Sequence, residues 1–271
     1  MISKVSNLKF LFRADNTNVG DWWSPPFKYF AFKPGMIGDV LDVNFQIKED
    51  DILIIGGGGI GRKSFSLSLQ RIKEAKPQAS ILWGVGADCV IDTENILNNN
   101  EYDLYGNYFD FFDEVGVRIY SVPQKFRYVP CASCMSQLFL DYRERQPKHS
   151  IGIYNHKRIT IMDKNNKDGF PVMDNHGNDL EEKIKFLSSH EYIVTNTYHG
   201  AYWATLLERK VICLPNKSGL FSFKHKPLYS WDGKLNSDIF NLAPSYANVL
   251  EECRNLNEEY YLYLINKYPL I

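Results

Sequence analysis

The run Ile52-Leu53-Ile54-Ile55, which stops at the block Gly56-Gly57-Gly58-Gly59, constrains the fold more than any other segment. A continuous β-branched run with no polar alternation reads as a strand covered on both faces, and parallel sheets flanked by helices provide that environment. A helix follows from Arg62 to Lys76, with apolar residues at Phe65, Leu67, Leu69, Ile72 and Ala75 and a stop at Lys76-Pro77. Leu8 to Arg13 reads as an earlier strand, Ile81 to Gly86 as the next, and Phe112 to Ile119 as another. Strand, helix, strand with glycines at the strand ends is the signature of a parallel sheet.

The pattern breaks at the polar stretch after Asp141, YRERQPKHS, and then restarts. Ser150 to Tyr154, Tyr192 to Thr195 and Val211 to Leu214 read as strands, Asp179 to Ser188 and Gly200 to Glu208 as helices, and Tyr246 to Tyr268 as a long amphipathic helix. The expectation is an α/β chain of two Rossmann-like domains facing each other across a cleft. The first covers residues 1–145 and carries the glycine-rich loop; the second covers 146–271 and includes the long C-terminal helix. Ligands in such folds sit at the carboxyl ends of the strands.

Composition narrows the function classes. With 31 Lys plus Arg against 32 Asp plus Glu, the net charge is -1, so no global field gathers nucleic acid, and any bound anion is gripped locally. The aromatic share of 14% suits either a sugar-lined cleft or well-filled cores. MISKVSNLKFLFRAD lacks a continuous apolar h-region and no segment is long enough to span a bilayer, which predicts a cytoplasmic protein. The five cysteines are an odd number, which fits reduced thiols. Cys131-Ala132-Ser133-Cys134 lacks two further ligands at zinc spacing and reads as a packed or substrate-lining loop. No Asp-x-Asp occurs, and no metal is expected.

Four loops carry the candidate site. The first, Gly56 to Gly61, either brings backbone N–H groups of Gly57, Gly58 and Gly59 to a ligand or simply packs tightly. Its spacing matches G-x-G-x-x-G, but Trp83-Gly84 stands where a nicotinamide-binding unit carries an acid, and the Walker lysine is missing. In the second loop, Asn18-Val19-Gly20-Asp21, Asp21 is a helix cap, or else a general base or a binder of an acceptor hydroxyl. The third places Arg118 at an apolar strand end, where it must meet Asp113, Glu114 or a ligand anion. In the fourth, Thr195-Asn196-Thr197-Tyr198-His199-Gly200, a histidine stands in the first turn of a helix with hydroxyls beside it. Ser222 to Lys226 adds cations, among them Lys224.

In order along the chain, N-x-G-D at Asn18 to Asp21, the glycine block, Gly84-Val85-Gly86, Val-x-x-Arg-x-x-Ser at Val115 to Ser121, and Thr-x-x-His-Gly at Thr197 to Gly200 resemble the polysaccharide pyruvyl transferase family. The resemblance spans nearly the whole chain. It implies a GT-B-like fold and transfer of the carbon skeleton of phosphoenolpyruvate to a sugar as a pyruvate ketal. It further implies a role in surface polysaccharide assembly, with a glycan or lipid-linked oligosaccharide as acceptor. Phosphoenolpyruvate is then the donor substrate, and no cofactor is needed. Two departures stand out: Thr197 occupies the place of an arginine two residues before the histidine, and Ile119 follows Arg118 where an Asp is common. The donor set expected on this footing is Arg118, Ser121, Thr195, Thr197, His199, Gly200 and Lys224, with Asn18, Gly20 and the glycine loop on the acceptor side. His199 is expected to serve as acid or phosphate contact, Arg118 as a catalytic cation, and Asp21 as base. A lipid-linked acceptor would bring the protein to the inner membrane face, where Trp22, Trp23 and Phe27 either offer peripheral contact or serve the core. Two alternatives share these residues: a metal-independent GT-B glycosyltransferase using a nucleotide sugar, and a non-catalytic glycan-binding descendant.

Overall fold

The computed structural model describes residues 7–87, 109–120, 126–162, 168–214, 222–230, 235 and 237–271. Six parallel strands form the first sheet: β1 (Asn7–Phe12), β2 (Met36–Asp39), β3 (Asp51–Gly56), β4 (Ala79–Val85), β5 (Glu114–Val117) and β6 (Arg127–Tyr128). Their spatial order is β2-β1-β3-β4-β5-β6. The buried β3 run lies at the centre, with Ile54 registered between Phe10 and Ile81. Alternate residues serve opposite faces. Phe10, Ile52, Ile54, Ile81 and Trp83 enter one apolar layer, while Leu11, Leu53, Ile55, Leu82 and Val85 enter the other. Both layers exclude water, as the absence of polar alternation in β3 requires.

The helix after β3 is shorter than the periodicity predicts. A 3-10 turn at Lys63–Phe65 precedes α2 (Ser66–Ala75), which ends at Lys76 in the left-handed conformation before Pro77. Leu69 and Ile72 are buried, but Leu67, expected on the same stripe, is 85% exposed. A short α1 (Val19–Trp22) follows β1, and α3 (Leu138–Arg143) leads into the second half.

The second sheet is also parallel: β7 (His149–Asn155), β8 (Val172–Asp174), β9 (His190–Thr195), β10 (Lys210–Cys213) and β11 (Leu228–Tyr229), in the order β11-β10-β9-β7-β8. Val194 sits between Ile153 and Ile212. Its helices are α4 (Leu180–Ser188), capped by Asp179, and α5 (Tyr198–Leu206), which starts two residues before the predicted Gly200. Next come α6 (Ser237–Leu242) and α7 (Val249–Lys267). The fold is thus the expected α/β arrangement of two parallel, Rossmann-like sheets.

The long helix α7 belongs to both halves, not only to the second. Val249, Leu250 and Cys253 pack with Ile184, Trp203 and Val211, whereas Tyr260 and Leu264 join Phe10, Ile54 and Trp83. Asn257, fully buried between these stretches, accepts from Trp83 Nε1 at 2.8 Å, and Tyr260 donates to the Leu82 carbonyl at 3.0 Å. Among the described residues no helix is long and apolar enough to cross a membrane.

Candidate functional site

The carboxyl ends of the two sheets meet. Asn18 and His176 form an isolated antiparallel bridge, and Val19 N–H donates to the Asn175 carbonyl at 3.1 Å. Lys157, just after β7, reaches Asp15 at 2.8 Å, and Trp23 Nε1 donates to the Asn178 carbonyl at 2.7 Å. Burial opposes ionisation of Asp15, but hydrogen bonds from Lys157 and Thr17 and the Lys157 charge hold its pKa at about 2.

Asn18, not Asp21, caps α1: its Oδ1 accepts from Gly20 N–H at 3.2 Å and from Asn175 Nδ2 at 3.2 Å. Its Nδ2 donates to Asp21 Oδ2 at 2.8 Å, so the cap also orients the carboxyl. Desolvation raises the Asp21 pKa to about 6, against the opposing pull of Arg118. That value suits a group that gives and takes protons near neutrality.

Arg118 follows β5 and is only 4% exposed. Neither acid proposed for it from sequence is its partner. Asp113 instead accepts from Ser80, and Glu114 takes Lys267, Tyr263 and Tyr268. The guanidinium carbon stacks 3.6 Å from the centre of the Tyr198 ring, while Nε and Nη1 are buried without a hydrogen-bond partner. Gly86 makes room for it, because a Cβ there would lie 2.8 Å from Arg118 Nε.

His199 comes from α5 and is 7% exposed. Its placement rests on missing side chains on both sides. A Cβ at Gly20 would lie 2.0 Å from its Nδ1, and one at Gly200 would lie 2.5 Å from the hydroxyls of Thr195 and Thr197. Desolvation, reinforced by Arg118, holds the imidazole well below its ordinary pKa and therefore neutral. Its Nε2 is 3.5 Å from Cys131 Sγ.

Several expected ligand-facing groups are engaged by the protein itself. Thr195 Oγ1 donates to the Tyr154 carbonyl at 2.7 Å, and Thr197 Oγ1 caps α5 by accepting from Gly200 N–H at 2.8 Å. Lys224 pairs with Glu252 at 2.9 Å. In the glycine loop, Gly57 N–H donates to the Trp83 carbonyl and Gly61 N–H to the Gly86 carbonyl. Gly56 abuts Pro26 and Gly57 abuts Ser24. The loop is therefore largely a packing device that supports the Asp21 turn. Gly58, at φ +64°, leads to Asp21, and Gly59 lies partly exposed beside it. Ser121 lies outside the described residues.

Asp21, Arg118 and His199 thus come together from three separate strand ends. Sequence reasoning did not find Tyr198 or Asn175 as their supports, and it placed Cys131 only on a packed or lining loop. No local motif marks such supports, since the contacts bridge 68 to 157 residues. Among the described residues no group of three or more His, Cys, Asp or Glu can hold a metal ion.

No family model matches the chain, and no curated protein matches it. Among solved structures, an uncharacterized protein from Klebsiella pneumoniae is similar at 19% identity and a TM-score of 0.45, over 78% of this chain and 84% of that one. The UDP-GlcNAc 2-epimerase of Methanocaldococcus jannaschii is similar at 8% identity and a TM-score of 0.41, over 79% and 84% respectively. Neither likeness bears on what this chain does.

Proposed function

We propose that the protein is a sugar-modifying transferase that moves the pyruvyl skeleton of phosphoenolpyruvate onto a sugar hydroxyl pair as a ketal. The observation that carries this reading is the Arg118 guanidinium, buried with Nε and Nη1 unbonded, beside the Asp21 carboxyl and the neutral His199 ring. A cation held out of water with open donors favours a compact anion, and a carboxylate or phosphate oxygen satisfies it.

Ketal formation needs a proton on the donor's methylene carbon, which turns the central carbon into an oxocarbenium-like electrophile. One sugar hydroxyl adds there, a second closes the ring, and phosphate leaves. Asp21, with its pKa near 6, is the group suited to supply the first proton and to accept one from the attacking hydroxyl. Of the two roles read from sequence for His199, acid or phosphate contact, a neutral, desolvated ring suits the second, and Asp21 takes the acid's part beside the base's. One general acid contributes about 10² to 10⁴ in rate, and fixed orientation of both substrates contributes the larger share. The acceptor is a glycan or lipid-linked oligosaccharide on this reading, and membrane-face contact follows only from the lipid-linked form.

The test is thermal stabilisation of wild type and Arg118→Met by phosphoenolpyruvate, UDP-sugars and GDP-sugars. A ligand at about 100 times its Kd stabilises by about 2.7 kcal/mol, and Arg118→Met should abolish the shift given by phosphoenolpyruvate. Stabilisation by a nucleotide sugar alone would replace this reading with the metal-independent glycosyltransferase.

A further inference from the structure

The geometry points to Cys131 as a positioning residue that fixes the protonation pattern of His199, through a directional chain Trp203–Ser133–Cys131–His199 that places the ring's single proton on Nδ1. This deepens the reading above but is decided by the hydrogen-bond chain alone.

The chain's direction follows from its first member. An indole N–H only donates. Trp203 Nε1 gives its proton to Ser133 Oγ at 2.9 Å, and Ser133 passes its own hydroxyl proton to Cys131 Sγ at 3.2 Å. The sulfur accepts from Ser133 and the thiol has one S–H of its own to place, and His199 Nε2 at 3.5 Å is the acceptor beside it. A neutral imidazole that accepts at Nε2 carries its proton on Nδ1. Burial keeps the thiol protonated and the imidazole uncharged, so every link stays neutral.

The sulfur cannot drift from this position. Tyr202 donates to the Cys131 carbonyl at 3.0 Å, and Asn257 Nδ2 donates to the Pro130 carbonyl at 3.2 Å. Cys131, Ser133 and Trp203 are all fully buried. At the far side of the ring, Nδ1 lies over Gly20, on the turn that bears Asp21. The arrangement makes His199 a fixed N–H donor on the Asp21 side, able to bond a donor-substrate oxygen without being charged.

Long-range ¹H–¹⁵N correlation of the histidine side chains in the labelled full chain reads the tautomer directly, with His199 assigned by the signal lost in His199→Gln. Wild type should show a protonated Nδ1 and an unprotonated Nε2. Cys131→Ser, which keeps a donor at that place, should retain this pattern. Cys131→Ala should lose it, with the proton moving to Nε2 in a large fraction of molecules. Should Cys131→Ala not fold, Ser133→Ala decides: it leaves the sulfur free to accept from Nε2 and should shift the population the same way. An Nε2-protonated ring in wild type, or a pattern unchanged in the alanine variant that folds, overturns the assignment. Because the measurement needs no substrate, failure of phosphoenolpyruvate to bind would count against the proposed function and leave this result standing.

Discussion

Replacing Gly20 by alanine tests whether His199 owes its position to an absent side chain. The new Cβ would lie 2.0 Å from His199 Nδ1, 2.6 Å from Cγ and 2.8 Å from Cε1, so ordinary contact at 3.4 Å requires a relative movement of about 1.4 Å. Overpacking of this kind costs about 1 to 3 kcal/mol. The φ of Gly20 is not left-handed, so alanine recovers about 0.5 to 1 kcal/mol of helix propensity within α1. The net loss in urea unfolding should therefore be about 2.5 kcal/mol or less, and the variant should fold. Function should suffer far more, since a displacement of about 1 Å in a reacting constellation costs about 10²-fold. The assay is a pair of measurements on one preparation: the His199 side-chain resonances, which should move, and stabilisation by phosphoenolpyruvate. A tenfold weaker affinity would cut a shift of about 2.7 kcal/mol to about 1.4 kcal/mol. Unmoved His199 resonances in a folded variant would refute the reasoning, because the ring would then not occupy the space over Gly20.

Asp21→Asn keeps the shape and the hydrogen bond from Asn18 but removes a buried charge. The folded pKa of Asp21, about 6, exceeds its ordinary 3.8, so the folded state holds a proton that the unfolded state has lost; wild-type stability falls as pH rises from about 4 to 6 and stays lower above it. The variant should flatten this slope and gain up to about 3 kcal/mol at pH 8 relative to wild type, as read by denaturant unfolding across that range. Lys157→Met removes the partner that holds Asp15 at about 2, and the stability lost should be about 1 kcal/mol at neutral pH. In wild type that contribution is present above pH 4 and disappears as pH falls toward 2, whereas the variant, left with the Thr17 hydrogen bonds alone, should show a smaller shoulder in acid unfolding. Thr197→Ala should cost about 1 kcal/mol through loss of the α5 cap, with Thr197→Ser restoring it; restoration failing in calorimetry would show that the hydroxyl is not the cap.

The sheets were legible because their strands carry the signal themselves. Ile52 to Ile55 and Tyr192 to Thr195 are apolar runs closed by turn residues, and both became central strands. The edge strand Met36–Asp39 was not legible: two of its four residues are exposed, so no core pattern marks it. The same logic divides the site. Asp21, Arg118 and His199 stand at strand ends, where an α/β fold puts chemistry, and periodicity finds strand ends. The glycine block misled in part, since Gly57 and Gly61 spend their N–H groups on the carbonyls of Trp83 in β4 and of Gly86 just after it, which no local spacing reveals. Lys224 and the two threonines were chosen by residue type, and their engagement by Glu252, Tyr154 and Gly200 depends on tertiary contacts.

The double allegiance of α7 bears on the order in which this chain acquires its structure during synthesis. The first sheet's residues leave the ribosome well before Tyr260 and Leu264, yet one of its two apolar faces is closed by them, with Trp83 waiting for Asn257 to receive its N–H. The first sheet can pair its strands early and cover part of its Trp83 side with Phe27, Phe30 and Phe32, but that layer is complete only when the helix that follows the second half arrives. The nascent chain therefore carries a partly open face until the long helix joins both halves.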